Sequence, residues 1–473
     1  MKKNVLLYGA GKAARQVYQK NLIDAELNII GVIDDKSDSK FFEQGIPIIS
    51  YEEAQKIILD FDVSEILLLI PSLTARELNL IITKLNSFDV IIRMLPLSQD
   101  RDVQIAYSDI KNISLEELVG RKPSPINEDS LKDILNGSVI LITGAGGSIG
   151  SQMCKTLSKF DLKILILMDH SEENLFYIFE YLSNLDLPFR VIPVLGSCCD
   201  FDLLESVFEG YRIDACIHAA AYKHVDLVQR NVIAGFTNNV ESTYNLLVLS
   251  GRFNLKYFTL VSSDKAVRST NIMGATKRIC ELLVSHFSST SKNTKFTIVR
   301  FGNVIGSSGS VVPIFLNQIA QGGPITVRDP NVVRYFMSIS EACDLVLQAT
   351  AFRFDFGIFL LDMGKPIKII DIAKQLMSLT GSNGGPNKVE IVTTGLKAGE
   401  KLYEELLMGF SKSPTPHEKI FVSDERVDFC NEFVDAVAAT FKVRSTQKAL
   451  VDLLERYVEG FRFIDPETTS ATD

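Results

Sequence analysis

Apolar residues along the chain gather in short, strand-sized blocks separated by mixed stretches of helical character. Within the first 112 residues the blocks are Val5 to Tyr8, Asn28 to Ile33, Val63 to Ile70 and Val90 to Leu95. Alternation of this kind predicts a parallel sheet with helices on its faces. A second series begins at Val139 to Ile142 and continues through Ile164 to Met168, Ala215 to His218 and Tyr257 to Val261. Between the two, Ile113 to Gly137 holds Gly120, Pro123, Pro125 and a polar run, and reads as a linker with a short helix. The pattern predicts an α/β chain of two tandem Rossmann-like, doubly wound parallel sheets. Their expected bounds are 1–112 and 138–302, with a smaller region over 303–473 that packs some segments back on the second sheet.

Each series opens on a glycine-rich turn. In the first, Gly9-Ala10-Gly11-Lys12-Ala13-Ala14 forms a GxGxxA sequence, and Asp34-Asp35 ends the next strand where a ribose-binding acid would sit. Two readings stay open there: a bound nucleotide or regulatory ligand, and a scaffold without a ligand. In the second series Thr143 leads into Gly144, Gly147 and Gly150 in GxxGxxG spacing. Glycine at these positions permits a tight turn and lets backbone N–H groups approach a pyrophosphate at a helix N-terminus. Asp169 ends the following strand. Its carboxylate can accept from ribose hydroxyls and would repel a 2′-phosphate, so NAD is expected over NADP. Ala219, Ala220 and Ala221 would let a cofactor lie against the backbone, and Asn239 follows at the start of a helix.

Composition narrows the function classes. The chain has 473 residues, 46% apolar, and a formal net charge of -9, which advertises no basic face for nucleic acid. Apolar runs such as Ile66 to Ile70 fall far short of the roughly 20 residues of a membrane helix, and the amino terminus carries no signal-peptide pattern. Seven cysteines without a CxxC and five histidines without an HExxH give no disulfide framework and no metal site. The adjacent Cys198 and Cys199 read as small, half-buried thiols, and the expected compartment is the reducing cytoplasm.

The strand Tyr257 to Val261 delivers Ser262, Ser263, Asp264 and Lys265 to the carboxyl edge of the sheet, where reacting groups collect. Met273 and Lys277 follow, four residues apart and therefore on one helical face. In ordinary short-chain dehydrogenases such a pair is tyrosine and lysine. A thioether exchanges no proton, so another group must do the work of the tyrosine.

At these residues the sequence resembles the bacterial nucleotide-sugar dehydratases of surface-polysaccharide and glycan biosynthesis, within the extended short-chain dehydrogenase superfamily. The matching segments are TGAGGSIGS at 143–151, AAAYKHV at 219–225, SSDKAVRSTNIMGATKR at 262–278, RFGNVIGSSGSVVPIF at 300–315, VRYFMSISEA at 333–342 and TGLKAGEKLYEELL at 394–407. GAGKAAR and GVIDD extend the resemblance into the first unit. It implies an NAD-dependent 4,6-dehydration of a UDP-sugar: hydride leaves C4, water is eliminated across C5 and C6, and the hydride returns to C6. By the same match Lys265 is the C5 base, Asp264 the C6 acid, Ser263 the hydroxyl at the C4 oxygen, and Lys277 the cofactor lysine. Thr143, Gly144, Gly147, Ser148, Ile149, Gly150, Asp169, His170, Ser171, Ala219, Ala220, Ala221, Asn239 and Ser262 are the remaining expected cofactor contacts.

Met273 at the tyrosine position resembles the branch that keeps the C5 configuration, which implies UDP-N-acetylglucosamine as substrate and UDP-2-acetamido-2,6-dideoxy-α-D-xylo-hexos-4-ulose as product. Lys223, His224, Asn303, Ser310, Arg334 and Glu400 are the expected substrate contacts, with Arg334 as a diphosphate clamp. Three departures stand out: no membrane helices precede the first unit, Ser197 stands where relatives commonly carry an acid, and Asp226 replaces a proline. The stripe Ile279, Leu282, Leu283 is either core or a dimer bundle, and a homodimer is expected. Every reacting group lies after Ile142, so a chain starting near Ile126 is expected to fold and turn over. A nucleotide-sugar 4-epimerase and a non-catalytic NAD-binding scaffold are the competing readings.

Overall fold

The structure is a computed structural model. It describes residues 2–24, 27–34, 39–73, 75–85, 88, 90–95, 110–112, 126–352, 354–380, 382, 388–397, 399–407, 411–425, 431–442 and 445–465. The chain forms two compact units: Met1–Lys122 with Ser310–Asn331 and Lys368–Gly395, and Pro123–Gly309 with Val332–Ile367 and Leu396–Asp473.

In the first unit a six-stranded sheet runs in the order Ile48–Ile49, Leu27–Ile33, Lys3–Tyr8, Glu65–Leu68, Ile91–Met94, Lys111–Asn112. All neighbours are parallel except the last pair. Side chains of successive strand residues point to opposite faces, so Leu6 and Tyr8 join one apolar core while Val5 and Leu7 join another. This is why the strand sequence is continuously apolar rather than alternating. Gly9, with φ +97°, takes the chain out of its strand, and the Ala10 N–H donates to Asp34 Oδ2 at 2.8 Å. Asp35 lies outside the described residues.

Residues 303–473 do not form a single region. The helices Val311–Ala320 and Ile369–Leu379, and the paired strands Ile325–Val327 and Ile391–Thr393, cluster with the first unit. Ile369–Leu379 packs on the helix Ala75–Leu85 and the strand Ile91–Met94. A chain starting near Ile126 would lack those two partners of the helix. Of the expected linker, residues 113–125 lie outside the described residues. Its short helix is Glu128–Leu135, where Asn127 Oδ1 accepts from the Ser130 N–H.

The second unit is built on a nine-stranded sheet in the order Lys412–Pro414, Ile420–Ser423, Phe356–Leu361, Lys295–Arg300, Tyr257–Val261, Ala215–His218, Val139–Thr143, Ile164–Asp169, Arg190–Leu195. The first two are antiparallel additions at one edge; the other strands are parallel. Strand order reverses between Val139–Thr143 and Ala215–His218, the crevice where ligands bind in such sheets. The long helix Ile272–Thr290 is buried on all sides from Ile272 to Ser285. Ile279, Leu282 and Leu283 belong to the same core cluster as Phe433, Val437, Leu450, Leu453 and Leu454 of the last two helices. The stripe is therefore core, covered by the chain's own carboxy-terminal helices. Among the described residues no helix is long and apolar enough to cross a membrane.

Four buried charged side chains form one cluster inside this unit. Arg300, fully buried at the end of its strand, donates from Nε and Nη2 to the two carboxylate oxygens of Glu281 at 2.8 and 2.7 Å, and from Nη1 to Glu425 Oε2 at 2.9 Å. Arg278 Nη1 donates to Glu281 Oε2 at 3.0 Å, while its Nη2 lies 2.6 Å from Glu425 Oε1 as an ion pair without hydrogen-bond alignment. Burial alone would raise the Glu281 pKa, but Arg300, Arg278 and the Ser262 hydroxyl outweigh it and hold the carboxyl at about 2. Its folded pKa lies below the unfolded value, so its stabilising contribution is present above about pH 4.5 and is lost as pH falls toward 2. Arg300→Met would leave two buried carboxylates facing one arginine. It is expected to cost about 3–5 kcal/mol in denaturant titration at neutral pH, the cost of breaking a buried pair from one side.

Candidate active site

The strand Val139–Thr143 ends in a glycine loop whose spacing is enforced by contact. A Cβ on Gly144, which has φ +66°, would meet the Ala220 backbone at 2.8 Å, and one on Gly150 would meet Gly144 O at 2.0 Å. Below the loop Thr143 Oγ1 lies 2.7 Å from His218 Nδ1, and His218 Nε2 lies 3.1 Å from Thr243 Oγ1. Burial, reinforced by Lys277, lowers the His218 pKa to about 3, so the ring is a neutral spacer. No sequence motif singled it out.

A cavity of about 180 Å³ opens beside this loop. Gly144, Gly147, Asp169, His170, Ser171 and Ala219 to Ala221 line it as expected. Asn174, Gly196, Ser197, Asn238 and Ser242 line it too, and reading the sequence assigned none of them as contacts. Asp169 Oδ2 accepts from the Gly146 N–H and Oδ1 from the Ser171 N–H, both at 2.9 Å. The carboxylate thus organises the loop as well as facing the cavity. Cys198 is also in the wall, but burial pushes its thiol up to about 12, so it is no redox centre.

Several expected cofactor residues also make bonds within the chain. Asn239 is buried and bonded to the Tyr222 backbone and to Thr276 Oγ1, within a π-helical turn, and it is Asn238 that reaches the cavity. Ser262 Oγ points inward, donating to Glu281 Oε1 at 2.6 Å. Ser148 Oγ accepts from the Ser308 N–H, and the Ile149 carbonyl accepts from Cys343 Sγ. Lys277 differs: it is buried, which lowers its pKa, and its Nζ has no hydrogen bond among the described residues. Lys277 is not among the residues that line the cavity, and its charged neighbour is Glu281.

At the end of the strand Tyr257–Val261 the residues expected to react lie close together. Ser263 Oγ donates to Asp264 Oδ1 at 2.8 Å, and Lys265 Nζ donates to the same oxygen at 3.0 Å. Asn303 Oδ1 accepts from Lys265 Nζ at 3.4 Å, and Glu404 Oε1 lies 3.8 Å from it. Burial pulls the Lys265 pKa down, but the Asp264 and Glu404 carboxylates overcome it and the net shift is upward. Met273 is 4% exposed and sits in the apolar core, with no proton to exchange.

The expected substrate residues divide. Asn303 is at the site. Glu400 Oε2 accepts from the Lys397 N–H at 3.0 Å, and Glu404, four residues on, places Oε1 3.8 Å from Lys265 Nζ. Arg334 is bound to its own chain, donating to Val333, Lys401 and Leu402 carbonyls with Glu404 Oε1 at 3.7 Å, so it holds a loop in place of an open diphosphate clamp. His224 packs against Gly309, Lys223 is on the surface, and Ser310 falls in the first unit at the start of the helix Val311–Ala320. Asp226, unexplained from sequence, pairs with Lys397 at 2.6 Å.

A family model described as polysaccharide biosynthesis protein matches residues 140–425. The chain belongs to this polysaccharide biosynthesis family. The capsular polysaccharide biosynthesis protein CapD of Staphylococcus aureus is 36% identical over 428 residues, 89% of this chain and 71% of that one. The probable polysaccharide biosynthesis protein EpsC of Bacillus subtilis (strain 168) is 37% identical over 422 residues, 88% of this chain and 70% of that one. Among solved structures, Pen from Bacillus thuringiensis aligns at 30% identity with a TM-score of 0.55, covering 61% of this chain and 90% of that one.

The family match spans all the groups gathered around Asp264 and Lys265, and the second unit has the Rossmann-like fold of the extended short-chain dehydrogenases. The two backbone bonds made by Asp169 give a check that needs no substrate. Asp169→Ala is expected to speed amide hydrogen exchange at Gly146 and Ser171 by about ten-fold or more while strand amides stay protected, the loss of a charged hydrogen bond being worth about 1.5–3 kcal/mol. Unchanged exchange at both amides would refute the organising role.

Proposed function

We propose that this protein is an NAD-dependent 4,6-dehydratase of a UDP-sugar, with UDP-N-acetylglucosamine as substrate and retention at C5. The observation that carries the reading is the contact of Ser263 and Lys265 with one oxygen of Asp264, beside a tyrosine position filled by the buried Met273. The bound nicotinamide would supply hydride acceptance at C4 and its return at C6. Lys277 would hold its ribose, and Asp169 would favour NAD by repelling a 2′-phosphate.

The hydrogen bonds allow a balanced set of proton transfers. Ser263 Oγ passes the C4 hydroxyl proton to Asp264 Oδ1, taking over the task a tyrosine would perform. Neutral Lys265 then takes the C5 proton, now acidified by the C4 ketone, as Asp264 gives its proton to the C6 hydroxyl. Water leaves and a C5–C6 double bond forms. Asp264 is left as a carboxylate and Lys265 as an ammonium, the ion pair 3.0 Å apart. Lys265 returns its proton to C5 on the face it took it from, and the pair is reset. An epimerase needs no such second acid and base beside its serine, which disfavours that reading.

Incubation with UDP-N-acetylglucosamine is expected to give a product lighter by one water, with deuterium at C5 when run in heavy water. Unchanged mass with a changed sugar would mean an epimerase; an untouched substrate would mean a scaffold. Lys265→Ala is expected to lose roughly a hundred-fold or more in dehydration, as for removal of an acid–base group, whereas Met273→Leu costs about ten-fold or less through packing. Equal losses in the two variants would overturn the assignment.

A further inference from the structure

Glu404 lies beside Lys265, and although it falls in the segment 394–407, reading the sequence assigned it no role. Its side chain is 5% exposed; Oε1 stands 3.8 Å from Lys265 Nζ and 3.7 Å from Arg334 Nη2, and Oε2 is buried without a hydrogen-bond partner among the described residues. A buried carboxylate is costly, so its surroundings must be fixed to keep it there.

They are fixed from several directions. Thr270 Oγ1 and Asn271 Nδ2 donate to the Gly399 carbonyl at 2.7 and 3.2 Å. Gly399 has φ +80°, and a Cβ there would meet Thr270 O at 2.7 Å, so only glycine lets the segment approach this closely. Lys401 Nζ donates to the Val267 carbonyl at 3.0 Å. Arg334 donates to the carbonyls of Lys401 and Leu402 at 2.8 and 3.1 Å. The segment 399–404 is thus fastened to the loop that carries Lys265, and Glu404 is its inward end.

We propose that Glu404 is a positioning residue: its carboxylate, held by Arg334, orients the Lys265 amine opposite Asp264 and stabilises the ammonium that forms when the amine takes a proton. This rests on the reading of Lys265 as the C5 base. The charged groups facing Lys265 are Asp264 and Glu404, which favour its protonated form, and Arg334 and Lys401, which oppose it; Asn303 is neutral. Glu404 therefore increases the basicity of Lys265 while requiring a higher pH to empty it of its proton in the free protein.

The test reads Lys265 directly. The full chain and its Glu404→Gln and Arg334→Gln variants are acetylated with trace acetic anhydride across a pH series, and the extent at Lys265 is read by peptide mass spectrometry. Glu404→Gln removes a negative neighbour and is expected to lower the titration midpoint of Lys265 by about one pH unit or more. Arg334→Gln removes a positive neighbour and is expected to raise it. The ascending limb of kcat/KM should move in the same directions. Shifts of one sign in both variants would indicate a packing effect and overturn the proposal, as would an unmoved midpoint in folded Glu404→Gln protein. If that variant does not fold, the Arg334→Gln shift decides. Absence of dehydration by the wild-type chain would count against the proposed activity alone, since the labelling needs no turnover.

Discussion

The two-pronged contact between Arg300 and Glu281 is the constraint on which the site depends. Arg300 ends the strand that lies beside Tyr257–Val261, and Glu281 sits in the middle of the long helix that begins with Met273 and Lys277. A guanidinium with no exposure has no water to fall back on, so its five donors must meet fixed acceptors. Glu425 and Arg278 complete the set, and Ser262 joins it through its hydroxyl. The residue before Ser263 is thereby tied to a buried charge lattice. The reacting side chains hang from a strand end that cannot drift against its helix.

Desolvation sets the remaining chemistry, with opposite results for different groups. It neutralises His218, which then serves as a hydrogen-bonding spacer under the glycine loop, and it raises Cys198 out of the reactive range. It also lowers the Lys277 pKa, although Cys280 and Glu281 oppose the shift. At Lys265 two carboxylates reverse the effect of burial. Burial alone does not predict a charge state; the outcome depends on which oxygens lie within about 4 Å of the buried nitrogen.

Met273 shows how a polarisable side chain is accommodated next to polar groups. The thioether is absorbed into the apolar core, while Ser263 Oγ touches the Asp264 carboxylate. One carboxylate oxygen is shared there by a hydroxyl and an amine, which ties the three side chains into a single hydrogen-bonded group.

The chain by itself determined what is local. Continuous apolar blocks specified two parallel sheets, glycine spacing specified the turn before the helix Ser148–Leu157, and the run from Ser262 to Lys265 was placed at a strand end. What depended on residues distant in sequence was decided only by the tertiary structure. Glu400 and Glu404 are indistinguishable as glutamates in one segment, but the positive φ of Gly399 and the hold of Arg334 turn Glu404 inward and leave Glu400 closing a turn. Asn239 and Ser262 carry the right groups at the right positions, yet Thr276 and Glu281 claim them first. Two stretches of residues 303–473 joined the first unit because the helix Ile369–Leu379 finds its apolar partners there. Propensity and spacing are written along the chain, whereas the competition of two partners for one side chain is settled by packing.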